Sequence, residues 1–517
     1  MAAYPEFRGK KVTVVGLGIE GIDLVRYLAA RGAQVTVSDA RPADRLSNRI
    51  RELNGVPVRL SLRQNAVADT VSADMVFVSQ GVPLNIPALQ AAREKGVPLS
   101  SMTRLFFELC AGPVVGITGS SGKTTVTGLV GGMFAAAGRP HAVGGNIGVG
   151  LLGLLDQLTP ETWVVAEISH TQLELMDRSP HVACILNITP NHLDRYSWPD
   201  YLALKRKILA YQGAGDLAVL NYEDEMTRKA AANAAGEVLF FALDADPPGD
   251  GAFLRDGVVI SRRGGRETPV LPAAGVPLRG RHNLGNVVAA VAVGAACVLP
   301  PAAMASAIRA FRPAPHRLEL VVRVGGVDYY NDSIATTPER TLAGLRSFQE
   351  PVVLLLGGRE KHLPLEELAA EASKRCRVVV VFGEAAPVLA EALRAAAEGL
   401  APEARPQVLN ADALAEAVAK AHDAARPGDV VLLSPACTSF DAFDNFEQRG
   451  EEFRRLVLAL RSGTGGHEPR MPGGPGAAGF EQDPSVHAGA SGGGSMPPPS
   501  GGGGECPSNG EPLKGGE

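Results

Sequence analysis

Short apolar runs rich in β-branched residues recur along most of the chain, at 12–15, 35–38, 75–79, 114–117, 163–167, 183–188, 217–220, 238–242, 352–356, 378–382 and 430–433. Between them lie longer stretches in which apolar residues return at helical spacing. Runs apolar on both faces belong to strands covered on both sides, so the rhythm predicts βαβ units and mainly parallel sheets flanked by helices. The expected class is α/β, in three blocks.

The first block, 1–112, opens with a strand, turns at Gly16 and runs a helix to about Arg31. A break falls at Ala111-Gly-Pro113. The second, 113–312, closes with helices over 282–299 and on to Phe311, and Arg312-Pro-Ala-Pro315 reads as a stiff linker. The third, 313–462, ends in a helix over 441–460. Beyond it, 463–517 shifts to Gly, Pro and Ser with almost nothing apolar to bury, which predicts a disordered tail.

Composition narrows the function. With 517 residues, and about 150 per domain, roughly three to four units are expected. Lys plus Arg number 50 against 55 Asp plus Glu, so a net charge of -5 offers no basic field for nucleic acid. Six cysteines without a C-x-x-C pair suggest neither a disulfide framework nor a thiolate metal site, and the expected location is a reducing cytoplasm. The longest apolar run, 287–299, is too short for a bilayer, which needs about 20 residues. Residues 1–11 lack the apolar core of a secretory leader, so no membrane insertion is expected.

Gly116-Ile-Thr-Gly-Ser-Ser-Gly-Lys-Thr-Thr125 follows a strand and opens a helix, so backbone N–H groups and the helix N-terminus converge on one anion site. Lys123 would neutralise β and γ phosphates, and the Thr124 hydroxyl would reach Mg2+. The first glycine stands one residue earlier than the usual phosphate-loop spacing. Gly16-Leu-Gly-Ile-Glu-Gly21 also lies between strand and helix, with Asp39 ending the next strand, as in dinucleotide sites. It would suit NAD or another nucleotide diphosphate, and Glu20 stands where it could repel one. Glu167 ends a strand and His192 follows another, so both face the crevice of the phosphate loop as candidate Mg2+ ligands. By spacing alone Lys205 is a solvated helix lysine, Lys361 a turn lysine, and His282-Asn-Leu-Gly-Asn286, Asn331-Asp-Ser-Ile-Ala-Thr-Thr337 and Ser439 are helix caps.

Taken in order, the variant loop, Glu167-Ile-Ser, Asn187-Ile-Thr-Pro-Asn-His-Leu-Asp-Arg-Tyr196, His282-Asn-x-x-Asn286, His316-Arg317 and Ser434-Pro-Ala-Cys-Thr-Ser-Phe-Asp-Ala-Phe-Asp-Asn-Phe-Glu-Gln-Arg-Gly450 make the chain resemble the Mur ligases over residues 8–461. The resemblance implies a Rossmann-like UDP-sugar-binding domain, a central P-loop ATP-binding domain and a Rossmann-like C-terminal domain that receives the amino acid. It implies an ATP-dependent amide ligase of peptidoglycan precursor synthesis, adding glutamate to UDP-N-acetylmuramoyl-L-alanine through an acyl phosphate. D-glutamate is the expected isomer and L-glutamate the alternative; a nucleotide-sensing P-loop protein without ligase activity is the competing class. A monomer is expected.

Carried over residue by residue, the resemblance implies UDP-sugar contacts at Gly16, Gly18, Gly21, Asp39, Arg41, Ser79, Gly81 and Asn146. It implies ATP contacts at Gly116, Thr118, Gly119, Ser120, Ser121, Gly122, Lys123, Thr124, Thr125, Asn283, Asn286, Arg317 and Asp332. Two Mg2+ ions would be held through Thr124, Glu167 and His192. Lys123, Lys205 and His192 would be catalytic, with Lys205 carbamylated. The glutamate pocket would use Thr336, Lys361, Ser439 and Phe446. Three positions depart from the family pattern: Ser120-Ser121 replaces Thr-Asn, Glu20 replaces a small or hydroxylic residue, and Ile334 replaces a lysine.

Overall fold

The computed structural model describes residues 7–147, 149–191, 195–312 and 315–463. His192, Pro313 and Ala314 of the predicted linker, and the predicted tail from 464 onward lie outside the described residues.

The first sheet has five parallel strands in the order Val58–Leu62, Gln34–Asp39, Lys11–Val15, Met75–Val78 and Leu99–Ser100. Val14 is paired with Val37 on one side and Phe77 on the other. Helices Ile19–Ala30 and Met102–Leu109 cover one face, burying Leu24, Leu28 and Phe106 against Val12, Val14 and Val37. Each such side chain contributes about 1.5 to 3 kcal/mol by leaving water.

The second sheet has nine strands. Seven are parallel, from His141–Gly145 at one edge through Trp163–Glu167, Val114–Thr118, Val182–Ile185, Leu217–Asn221 and Glu237–Ala242 to Gly251–Arg255. Val258–Arg263 and Arg266–Pro272 then extend the sheet antiparallel. Strand Val114–Thr118 is buried at all five positions, as a central strand covered by helices on both faces must be. Helices Lys123–Ala136 and Arg281–Ala296 pack together on one side, through Val126, Leu129, Val287 and Val291.

The third sheet runs Glu319–Val324, Val327–Asn331, Val430–Ala436, Val352–Gly357, Cys376–Phe382 and Gln407–Ala411, parallel except for the first pair. The α/β class expected from the pattern holds, with three mostly parallel sheets flanked by helices. The antiparallel strands Val258–Arg263, Arg266–Pro272 and Glu319–Val324 have charged residues scattered among their apolar ones, and the apolar-run signal passes over them.

The last helix spans Phe446–Gly463, five residues later than its predicted start. Ahead of it the N–H groups of Ala442 and Phe443 both donate to the Ser439 carbonyl, forming a separate turn. Asn445 then caps the helix by accepting from the Gln448 N–H at 2.8 Å. Among the described residues no helix is long and apolar enough to cross a membrane.

Candidate functional site: a cleft at strand ends

The phosphate loop lies between strand Val114–Thr118 and helix Lys123–Ala136. Gly122 has φ +82°, and a Cβ there would come 2.3 Å from Asn286 Oδ1. Only glycine allows helix Arg281–Ala296 to approach so closely. Within that helix Asn286 Nδ2 donates to Asn283 Oδ1 at 3.1 Å, and Asn283 Nδ2 to the Arg279 carbonyl at 2.7 Å. Asn187 braces the loop from just beyond the neighbouring strand Val182–Ile185: its carbonyl accepts from Ser120 N–H at 3.0 Å and its Oδ1 from Ser121 N–H at 2.9 Å. Lys123 Nζ donates to the loop carbonyls of Gly119 (2.9 Å) and Ser120 (3.4 Å). Burial lowers its pKa, with Glu167 opposing the shift and Arg317 and Arg340 adding to it.

Glu167 ends strand Trp163–Glu167 and is 1% exposed. Its Oε1 accepts from Asn146 Nδ2 at 2.9 Å, while the buried Oε2 has no partner among the described residues. Such an orphaned carboxylate oxygen beside a phosphate loop has the chemistry of a Mg2+ ligand, and Mg2+ commonly takes only one or two protein carboxylates. Thr124 lines the same space. Among the described residues no three His, Cys, Asp or Glu side chains converge on a metal position.

Lys205 overturns the reading from spacing alone. It is 1% exposed on helix Trp198–Arg206, and its Nζ donates to Thr118 Oγ1 at 3.1 Å and the Gly119 carbonyl at 3.0 Å. Burial, followed by the charge of Lys123, pushes its pKa well below the usual lysine value, with Glu167 opposing only in part. The burial beneath the phosphate loop thus favours the uncharged amine.

Loop, helix and third sheet enclose a cleft of about 650 Å³. From the loop it receives Ser120, Ser121, Gly122, Lys123 and Thr124; Asn146, Glu167, Asn283 and Asn286 join from the second sheet and its helix. Arg317, Asp332 and Phe446 come from the third block. Gly116, Thr118, Gly119 and Thr125 support the loop from behind and do not line the cleft. Among the described residues neither Arg317 nor Arg340 has a carboxylate partner, and the hydrogen bond of Arg340 is from Nη1 to the Ile334 carbonyl at 3.4 Å. Asp332 is buried, accepting from Ser434 Oγ at 2.8 Å and Leu318 N–H at 3.1 Å. Burial outweighs these bonds and raises its pKa to about 7. The cleft therefore sets Lys123, Arg317 and Arg340 opposite Glu167, Glu339 and an Asp332 whose burial favours the protonated form, and the three cations can meet a polyanion.

The residues expected around glutamate divide. Phe446 lines the cleft, and Lys361 Nζ lies 3.4 Å from Thr336 Oγ1, but Lys361 faces a small recess beside Cys437. Ser439 is buried in the turn before the last helix. The loops carrying these residues are tied by Arg449, to which no role was given from sequence.

In the first block, Gly21 packs so closely on the turn that a Cβ would lie 2.2 Å from the Gly16 carbonyl. Gly18 precedes the helix, and Ser79 N–H donates to the Val15 carbonyl at 2.9 Å, closing the adjacent strand ends. Asp39 accepts from Leu17 N–H at 2.7 Å and from Arg41 Nη2 at 2.7 Å. Burial favours the protonated form of Asp39, but these donors outweigh it and hold the carboxyl below its usual range. Across the interface, Arg195 Nη1 donates to the Gly81 carbonyl at 3.4 Å.

Residues 10–101 match the Mur ligase MurD-like N-terminal domain, residues 117–294 the Mur ligase middle domain, and residues 316–437 the Mur ligase glutamate ligase domain. The chain belongs to the Mur ligase family. It is similar to the UDP-N-acetylmuramoylalanine--D-glutamate ligase of Symbiobacterium thermophilum, at 42% identity over 87% of this chain and 98% of that one. It is also similar to the ligases of the same name from Pelotomaculum thermopropionicum (38% identity, 89% and 99% covered) and Acidobacterium capsulatum (40%, 88% and 98%). Among solved structures, UDP-N-acetylmuramate-alanine ligase MurC from Thermotoga maritima shares the fold with a TM-score of 0.55 at 19% identity, over 88% of this chain and all of that one. MurF from Acinetobacter baumannii does so with a TM-score of 0.52 at 16% identity, over 89% and 93%.

Proposed function

We propose that the chain is an ATP-dependent amide ligase joining D-glutamate to the L-alanyl carboxylate of UDP-N-acetylmuramoyl-L-alanine, a step of peptidoglycan precursor synthesis. The observation that carries this is the cleft itself, where a phosphate loop, a carboxylate oxygen and two arginines that have no carboxylate partner among the described residues face one another across two sheets. The curated relatives named above, matched over nearly their whole length, support the choice of substrates. One chain supplies every part of the cleft, in keeping with a monomer, and a cytoplasmic location suits these substrates.

On this reading the γ-phosphoryl group passes from ATP to the L-alanyl carboxylate, releasing ADP and forming an acyl phosphate. The glutamate amine then attacks the acyl carbon, loses a proton, and expels inorganic phosphate. Lys123 exchanges its loop carbonyls for phosphate oxygens, while Asn283, Asn286, Arg317 and Asp332 hold the nucleotide end. The turn of Gly16, Gly18 and Gly21, with Asp39, Arg41, Ser79 and Gly81, holds the UDP moiety, and Asn146 meets the muramoyl group. Thr336, Lys361, Ser439 and Phe446 receive the glutamate once the third block moves against the second.

Glu167 and Thr124 would hold Mg2+, with His192 as a further ligand, and bound Mg2+ supplies charge neutralisation between carboxylate and triphosphate. Lys205, whose burial favours the uncharged amine, can add CO2 with release of a proton and so present a carbamate anion near Glu167. Aligning three substrates lowers the barrier by about 7 to 11 kcal/mol, more than the roughly 10² to 10⁴ in rate from one acid–base group. Positioning therefore dominates.

The test is phosphate release from ATP with mass detection of the product. Release should require both the muramoyl acceptor and glutamate, and a competition between D- and L-glutamate should yield the D product. Turnover with neither acceptor nor glutamate present would overturn the assignment in favour of a nucleotide-sensing protein.

A further inference from the structure

Glu20 opens helix Ile19–Ala30 inside the glycine turn of the first block, is 8% exposed, and has no cationic partner among the described residues. Its oxygens are nonetheless both occupied. Oε1 accepts from Gln172 Nε2 of the second block at 2.6 Å, and Oε2 from the Gln80 N–H at 3.2 Å. Gln172 in turn is fixed by a reciprocal cap with Ser169, in which its Oε1 accepts from Ser169 N–H at 2.8 Å and its own N–H donates to Ser169 Oγ at 3.2 Å.

Gln80 carries this arrangement towards the cleft. Its side-chain Nε2 donates to Ser169 Oγ at 2.8 Å and to Asn146 Oδ1 at 3.0 Å. An amide nitrogen has two protons, and both are used. Because Asn146 Oδ1 receives one of them, the Asn146 amide can only turn its Nδ2 the other way, where it donates to Glu167 Oε1 at 2.9 Å. With Oε1 taken, Oε2 is the oxygen left over. The acceptor-only carboxylates at the two ends fix the amide orientations, Glu20 that of Gln172 and Glu167 those of Asn146 and Gln80, and the Ser169 hydroxyl joins the two halves.

We propose that Gln80 is a positioning residue that couples binding of the sugar nucleotide at the glycine turn to binding of a divalent cation at Glu167. The identity of the two ligands rests on the ligase reading above; the coupling rests on the chain Glu20, Gln172, Ser169, Gln80, Asn146, Glu167. A ligand that shifts the glycine turn moves the Glu20 acceptor, hence Gln80, hence the orientation of Glu167. Linkage requires the reverse effect to be of equal size. A metal carboxylate held by a second layer of hydrogen bonds typically loses about 10- to 100-fold in affinity when that layer is removed.

The experiment titrates Mn2+ into the full chain with a non-hydrolysable ATP analogue, by electron paramagnetic resonance, with and without UDP-N-acetylmuramoyl-L-alanine. The wild type should bind Mn2+ about 5- to 150-fold differently in the two conditions, the usual range for coupled sites. In Gln80→Ala the difference should fall below twofold while each ligand still binds by itself. Gln80→Glu keeps the side-chain length but loses both donors, and it should uncouple the sites equally if the alanine variant unfolds. Coupling that persists in a folded variant, or is absent from the wild type, overturns the proposal. A wild type that couples the two ligands yet makes no amide product would instead count against the ligase reading.

Discussion

Arg449 is completely buried and grips Ser333 twice, donating from Nε to Ser333 Oγ at 3.0 Å and from Nη2 to the Ser333 carbonyl at 2.9 Å. The same guanidinium donates to the carbonyls of Cys437 and Thr438, both at 3.1 Å, and of Gly357 at 3.3 Å. One side chain from the last helix thus clasps three strand ends of the third sheet. Burial lowers its pKa to about 10, which leaves it charged at neutral pH. Arg449→Met would strand several buried acceptors at about 1 to 3 kcal/mol each. A loss of at least ~3 kcal/mol is expected in urea unfolding, and a loss below ~1 kcal/mol would show that these loops hold without it.

Lys205 yields a chemical prediction. Lys205→Ala should lose most ligase activity, and short carboxylic acids should restore part of it by placing an anion where the carbamate would stand. Phosphate release measured with and without added acetate checks this; unaltered activity in the variant would remove Lys205 from the chemistry. Its depressed pKa also has a stability signature. The unfolded chain binds the extra proton between the folded pKa and about 10.4, so stability from this group rises with pH across that window. Lys205→Met should flatten that rise in a denaturation series.

Asp332 works in the opposite sense. Its folded pKa of about 7 lies above the unfolded value of about 3.9. The folded state therefore holds the proton more tightly, and the stability this confers is complete below about pH 4 and lost as pH rises through 7. Asp332→Asn should remove this decline between pH 4 and 7 in thermal melts, and an identical slope in the variant would show that the carboxyl is not so perturbed.

Arg340 stands on helix Pro338–Leu345, lines the cleft and reaches back to the carbonyl of Ile334, where the family pattern has a lysine. It is the candidate for the missing cation. Arg340→Met should lower kcat/KM about 10- to 100-fold, or ~1.4 to 2.7 kcal/mol of transition-state stabilisation. Adding Ile334→Lys to that variant should recover part of the loss; no recovery would mean the two positions do not exchange roles.

The parts legible in the sequence are those whose chemistry is local. The phosphate loop announces itself because a strand, a glycine turn and a helix start are contiguous, and Glu167 follows from its place at a strand end. Lys205 looked solvated because its burial comes from Thr118 and Gly119, far away in the chain. Gln80 and Asn146, separated by 66 residues, meet only once two blocks pack, and no periodicity encodes that meeting. Arg449 lay within a recognised string, but its acceptors are backbone carbonyls, which leave no residue-type signature. The start of the last helix was misplaced because Ser439 and Asn445 are equally good caps, and the turn between them decides for Asn445.

Lys123 rests on the carbonyls of its own loop. The loop thus curves around the side chain of its own lysine. On the proposed ligase reading an arriving triphosphate would trade places with two oxygens already facing the same proton donors. Such a swap favours fast exchange of nucleotide, because little rearrangement separates the waiting state from the loaded one.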